Sequence, residues 1–110
     1  MGGFLLGIDA GSSSIKVSLI SIDKGMAVAS ASFPDREMEI LSPKPGWAEQ
    51  HPETWWINLR KAVARLKSKA GRRLGEIEAI GISYQMHGLV VVDRAVGYHF
   101  DLLKLRKLSV

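Results

Sequence analysis

The stretch Gly7-Ile8-Asp9-Ala10-Gly11-Ser12-Ser13-Ser14-Ile15-Lys16-Val17 decides how the rest of the chain is read. Residues 4–9 are apolar, short and bounded by glycines, the pattern of a buried strand. Gly11-Ser12-Ser13-Ser14 is a turn of small residues. Ile15, Val17 and Leu19 then alternate with Lys16 and Ser18, and Ile20 and Ile22 follow, so the turn leads into a second strand and not into a helix. That excludes a Walker loop and a dinucleotide fingerprint, both of which open a helix; the spacing G-x-x-x-x-G-K-S/T is also absent. Two readings of the turn remain. It is a structural hairpin, or it is an anion loop in which bare backbone N–H groups and serine hydroxyls donate to a phosphate. In the second reading Asp9, at the end of its strand, holds a metal ion through water beside the phosphates.

Outward from this stretch the elements follow in order. Asp23-Lys24-Gly25 is a hairpin signal. Residues 26–33 predict a third strand, weak because of its alanines and serines. Residues 34–46 hold three of the four prolines and predict a loop. Pro52 suits the first turn of a helix, and Glu53 suits its positive end. Trp56, Leu59, Val63 and Leu66 form the stripe expected to pack on the sheet, with Ala62 and Ala70 beside it and Arg60, Lys61, Arg65, Lys67 and Lys69 around it. The helix is expected to end near Gly71. Residues 77–83 and 89–92 predict two further strands. The order β-β-β-α-β-β, a meander followed by a helical crossover, points to an incomplete α/β domain of the ribonuclease H-like class.

Composition narrows the function classes. The chain has 110 residues, 46% hydrophobic and 24% charged, which fits a globular domain. It has no cysteine, so a disulfide scaffold, a thiolate zinc site and a cysteine nucleophile are excluded, and a cytoplasmic setting fits. No apolar run approaches the roughly 18 residues of a membrane span. The first six residues carry no basic region and soon meet Asp9, so they do not read as a signal peptide. The net charge is +4; seven of the 15 basic residues lie within 60–73 and three more within 104–107. The first cluster is either a nucleic-acid surface or the solvated face of one helix. It lacks the interleaved aromatic residues that single-strand binding favours.

Three motifs carry a resemblance. The pattern G-I/V-D-x-G-T/S-S/T-x-S/T-K/R of the sugar-kinase and actin superfamily is similar to the opening stretch, matched by Asp9, Gly11, Ser12, Ser13 and Lys16, with Ser12 where threonine is usual. Pro45-Gly46-Trp47-Ala48-Glu49-Gln50-His51-Pro52-Glu53-Thr54-Trp55-Trp56 resembles the G-W-x-E-Q-D/N-P-x-x-W-W segment of FGGY carbohydrate kinases. His51 stands there in place of the better helix caps Asp or Asn, Glu49 or Gln50 is expected to tie the loop to the helix start, and Trp55 and Trp56 are expected to be packing residues. Gly81-Ile82-Ser83-Tyr84-Gln85-Met86-His87-Gly88 resembles the Q-M-H-G segment of the xylulose-specific branch of that family, with Tyr84 where a small residue is common. Apart from the resemblance, a polar cluster at the C-terminal end of a strand is where α/β folds place ligands, and His87 offers both a donor and an acceptor.

The resemblance implies an actin-like ATPase fold and ATP-dependent phosphorylation of a ketopentose, with ATP and a magnesium ion (Mg2+) as cofactors. It implies that Asp9 positions magnesium and phosphate, that Gly11, Ser12 and Ser13 cradle ATP phosphates, and that Gln85, Met86 and His87 meet the sugar. For Lys16, a phosphate contact and a solvent-facing strand lysine both stay open. The family's general base and adenosine site belong to later regions and are not in this chain, so the chain alone is expected to be inactive. Ribulokinase, gluconokinase and glycerol kinase-like activities, or a non-catalytic basic binding domain, are the alternatives. The expected partners are a small sugar and ATP, with no nucleic acid and no membrane, and a homodimer is open for the full-length family. Residues 1–94 are expected to be a partial N-terminal domain. Residues 95–110, with Leu102, Leu105 and Leu108 among Lys104, Arg106 and Lys107, follow no family pattern and are expected to be a tail.

Overall fold

The computed structural model describes residues 2–85 and 88–90. The meander forms as the alternation predicts. Strands β1 (Phe4–Ala10), β2 (Ile15–Ser21) and β3 (Met26–Phe33) pair antiparallel in sequence order. The β2–β3 hairpin turns at Gly25, whose φ of 65 lies in the region glycine enters without penalty. Its N–H donates to the Ser21 carbonyl at 2.8 Å.

The loop after β3 leads to helix α1 (Pro52–Ala70). Proline opens the helix, and His51 at the cap position makes no side-chain cap bond. The roughly 1 kcal/mol that a good cap contributes is therefore missing. Gly71, at φ 61, ends the helix by donating its N–H to the Lys67 carbonyl. A short 3-10 helix, Gly71–Glu76, then leads into β4 (Ile77–Tyr84). This last strand crosses back to pair parallel with β1, giving the sheet order β3-β2-β1-β4. Of the further strand expected at 89–92, Leu89 and Val90 carry no strand structure, and the other two residues lie outside the described residues.

Helix α1 lies over β2 and β3. The core between them is Leu6, Val17, Leu19, Ala31, Ala62, Leu66 and Ala70, with Phe4, Ile8, Phe33, Leu59 and Val63 packed at its margin. The stripe read from the sequence needs one correction. Trp56 is 41% exposed and takes no part in this core. The row that faces the sheet is Asn58, Ala62, Leu66 and Ala70, spaced four apart and all buried. At 3.6 residues per turn Trp56 stands about 120° round the helix from Ala62. Ala62 and Ala70 are both buried in the core beside Leu66, and so small a side chain allows close approach of helix and strands. Counting large apolar residues pulled the expected face towards Trp56.

The basic cluster on α1 works within the fold. Arg65 grips the Asp35 carboxylate with both guanidinium nitrogens, at 2.7 and 3.1 Å, and donates to the Ser32 carbonyl at 2.9 Å. Arg65 and Lys61 both lie over the Phe33 ring. Lys69 reaches the Ser30 carbonyl at 2.7 Å, and Arg73 caps the helix end through the Ala70 carbonyl. Four of the seven clustered cations thus tie α1 to β3 or finish the helix.

Candidate functional site

Side chains alternate along each strand, so the residues that do not face α1 build a second surface. The β1–β2 register sets Gly7 beside Ser18 and Asp9 beside Lys16. The β1–β4 register sets Gly7 beside Gly81 and Asp9 beside Ser83. These residues, with Ile20, line an open concavity of about 510 Å³. Its floor is bare because two glycines meet at its centre. A Cβ on Gly81 would find open space, and one on Gly7 would make only ordinary contact with the Ile20 side chain. Asp9 is exposed, and the Ser83 hydroxyl donates to its Oδ1 at 3.2 Å. No ion pair joins Asp9 and Lys16 among the described residues.

The turn at 11–14 adjoins Asp9 at the rim. Each of its four carbonyl groups has a partner in the protein. Gly11 accepts from Gln85 Nε2 at 3.4 Å, and Ser12 from Gln50 Nε2 at 2.7 Å. Ser13 accepts from the Met38 N–H at 2.8 Å, and Ser14 from the Gly11 N–H at 3.1 Å. The N–H groups of Ser12, Ser13 and Ser14 have no hydrogen-bond partner among the described residues. Carbonyls that are all engaged, next to three amide donors without a protein partner among the described residues, are a combination that suits an anion.

The remaining expected residues fall in two groups. Gln85 follows β4 and stands against the turn, and its Oε1 has no partner among the described residues. Met86 and His87 lie outside the described residues. Gly88, just beyond them, donates its N–H to the Gln85 carbonyl at 3.2 Å. Gln85 therefore stands against Gly11 and Gln50 at the turn, while Lys16 lines the concavity together with Asp9, from β2. Among the described residues no three His, Cys, Asp or Glu side chains group to hold a metal. A magnesium ion needs less. It keeps several waters and takes one or two carboxylates plus substrate phosphates, and the open Oδ2 of Asp9 beside the donor-rich turn fits that role.

Residues 4–96 match the N-terminal domain of the FGGY family of carbohydrate kinases. The chain belongs to this family. A glycerol kinase from Rhizobium rhizogenes is 37% identical over 97 residues, covering 88% of this chain and 19% of the relative. A xylulose kinase from Escherichia coli is 35% identical over 88 residues, covering 80% and 17%. The crystal structure of a xyloylose kinase from Brucella ovis superposes with a TM-score of 0.76 at 34% identity, covering 84% of this chain and 18% of that one. The chain spans about a fifth of the length of the curated FGGY relatives it matches. They divide between glycerol and xylulose kinases, so kinship fixes the family and not the substrate.

Two residues at this candidate site have a role that the sequence does not show. Ser83 enters the sequence reading as the end of a strand and as part of the segment 81–88, with no role of its own, although its position two residues before Gln85 places it on the same face as Asp9 once the strands pair in parallel. Gln50 was read as a tie between loop and helix. Its longer reach, to the turn and to Gln85, depends on a crossover that no local pattern encodes.

Proposed function

We propose that this chain supplies the phosphate side and part of the sugar side of an ATP-dependent FGGY kinase acting on a ketopentose, with D-xylulose the preferred substrate and D-xylulose 5-phosphate the product. The observation that carries the reading is the polarity of the turn at 11–14, whose carbonyls are all engaged and whose three serine amides, close to Asp9 in sequence, have no partner among the described residues. Such amides stabilise phosphate oxygens without needing to move. Gly11, Ser12 and Ser13 then cradle the ATP phosphates. Magnesium, when bound, spreads the charge of the transferring group, and Asp9 holds it in place through water. Lys16, on the same face, adds a positive charge at the edge.

In the reaction a sugar hydroxyl oxygen attacks the γ-phosphorus, the bond to the β–γ bridging oxygen breaks, and ADP leaves. The hydroxyl proton passes to a general base in the part of the family's length beyond this chain. Catalysis of this kind rests on positioning and electrostatics. Gln85, Met86 and His87 form the sugar-facing side, and their similarity to the xylulose-specific segment supports xylulose over glycerol, ribulose or gluconate. The reading carries with it a cytoplasmic location and leaves a homodimer open for the full-length protein. It also divides the chain at residue 94, with 95–110 a tail outside the kinase pattern.

The test is titration of the chain with magnesium-ATP, followed through backbone amide resonances. Shifts centred on Ser12, Ser13 and Ser14, abolished by Asp9→Ala, are expected. Shifts elsewhere with these three unmoved overturn the reading. The purified chain alone is expected to transfer no labelled phosphate from ATP to xylulose.

A further inference from the structure

Gln50 lies two positions before α1, remote in sequence from both sides of the site, and is half-buried. Its side chain makes three hydrogen bonds. Nε2 donates to the Ser12 carbonyl at 2.7 Å. Oε1 accepts from the Trp55 indole Nε1 at 2.9 Å and from Gln85 Nε2 at 3.3 Å. An indole N–H can only donate, so the orientation of the Gln50 amide is fixed: oxygen towards Trp55, nitrogen towards the turn. Gln85 Nε2 also donates to the Gly11 carbonyl. One side chain therefore touches the turn, the first turn of α1 and the residue after β4.

The turn at 11–14 is closed by a single backbone bond, from the Gly11 N–H to the Ser14 carbonyl, and its other three carbonyls are held from outside the turn. Among the described residues Gln50 is the sole partner of the Ser12 carbonyl, and Gln85 the sole partner of the Gly11 carbonyl. We propose that Gln50 is a positioning residue that fastens the turn at 11–14 to the end of β4, so that the two sides of the site keep one relative geometry. The naming of those sides rests on the function proposed above; the fastening itself does not. Without it, the serine amides and the residues after β4 move separately, and a phosphate bound at one side no longer stands at a fixed distance from a hydroxyl bound at the other.

Three backbone amides report on this. Gly11 N–H bonds to the Ser14 carbonyl, Met38 N–H to the Ser13 carbonyl, and Gly88 N–H to the Gln85 carbonyl. Hydrogen exchange at these amides is measured by NMR on the whole 110-residue chain, with the Trp55 indole signal recorded alongside. In Gln50→Ala, exchange at all three is expected to quicken about tenfold, the factor that follows from losing roughly one net hydrogen bond, while the β2–β3 ladder amides stay as they were. Gln50→Glu keeps the acceptor for Trp55 and loses the donor to Ser12. It is expected to leave the indole signal in place and still free Gly11 and Met38, which separates positioning from support of the helix start. Gln85→Ala combined with Gln50→Ala is expected to do little more than either alone. If Gln50→Ala and Gln50→Glu change the indole signal and leave the three reporter amides untouched, or if the two alanine effects simply add, the proposal is overturned. A wild-type chain whose serine amides ignore magnesium-ATP, with the reporters still released together in Gln50→Ala, upholds the fastening and removes the phosphate reading.

Discussion

The two faces of this one sheet are built to different rules. Under α1 the strands present Val17 and Leu19, both at 0% exposure, against Ala62 and Leu66, also at 0%. On the reverse the same strands, with β4, present Gly7, Asp9, Lys16, Ser18, Gly81 and Ser83 around an open concavity. Both faces come from the same backbone and the same alternation, so the contrast lies in side chains alone. It teaches that the covered face holds the fold together, while the bare face is spared that duty and can carry groups whose use is chemical. Substitutions on the two faces should then separate stability from binding.

The largest effect belongs to the covered face. Leu66→Ala removes a side chain with no exposed surface, and denaturant unfolding is expected to show a loss of about 2–5 kcal/mol. That is a large share of the margin of a small domain. A loss under about 1 kcal/mol would mean that α1 is not what stabilises the sheet. On the bare face Asp9→Ala should do the opposite. The unfolding midpoint is expected to stay within experimental error, while magnesium-ATP binding, followed by calorimetry, weakens about tenfold to a hundredfold, in line with hydrogen bonds to a charged group. A destabilised variant with unchanged binding would assign Asp9 to the fold.

Gly81→Ala sharpens the contrast further. A Cβ there meets nothing, and its backbone is not in the left-handed region. The substitution is expected to leave stability equal or raise it by about 0.4–1 kcal/mol through the unfolded chain, while filling the floor of the concavity lowers ligand affinity. The smallest effect lies at the edge of the covered face. The Arg65 hydrogen bond, and then its charge, hold the Asp35 carboxyl below its ordinary value. A depressed folded-state value means that the pair's contribution is present above the unfolded aspartate value, near about 3.9, and is lost as pH falls through the folded one. The gap in melting temperature between wild type and Asp35→Asn should therefore close on acidification. A gap that stays constant down to about pH 2 would show that the contact, not the charge, is what matters.

How much of this was legible in the sequence follows from range. The helix limits were readable because Pro52 and Gly71 act on their own backbone, and the hairpin because Gly25 does. The meander was readable because neighbouring strands pair. The face of α1 differs from the expectation at Trp56, since the small Ala62 and Ala70 are buried there and the large apolar Trp56 is not, so burial does not follow how apolar a residue is. The Arg65 grip on Asp35 joins positions 30 apart and had no signal in the pattern of charges. Within the site, the Gly11-Ser12-Ser13-Ser14 turn declared its composition, but the direction of its carbonyls was settled by Gln50, Met38 and Gln85, each brought in from elsewhere.

The bond between Ser83 and Asp9 spans 74 residues, whereas β1, β2 and β3 meet across short turns. Contacts between distant parts of a chain must wait for the chain to close on itself. The meander and helix can therefore form while β4 is still undocked, and β4 has exposed Ile80, Ile82 and Tyr84 with little packing to hold it once it arrives. Regions with few buried contacts open at a lower free energy than the whole molecule. The surface that carries the candidate site is then the last part of this protein to assemble and the first to come apart, and a molecule whose core is intact can still spend part of its time with that surface unformed.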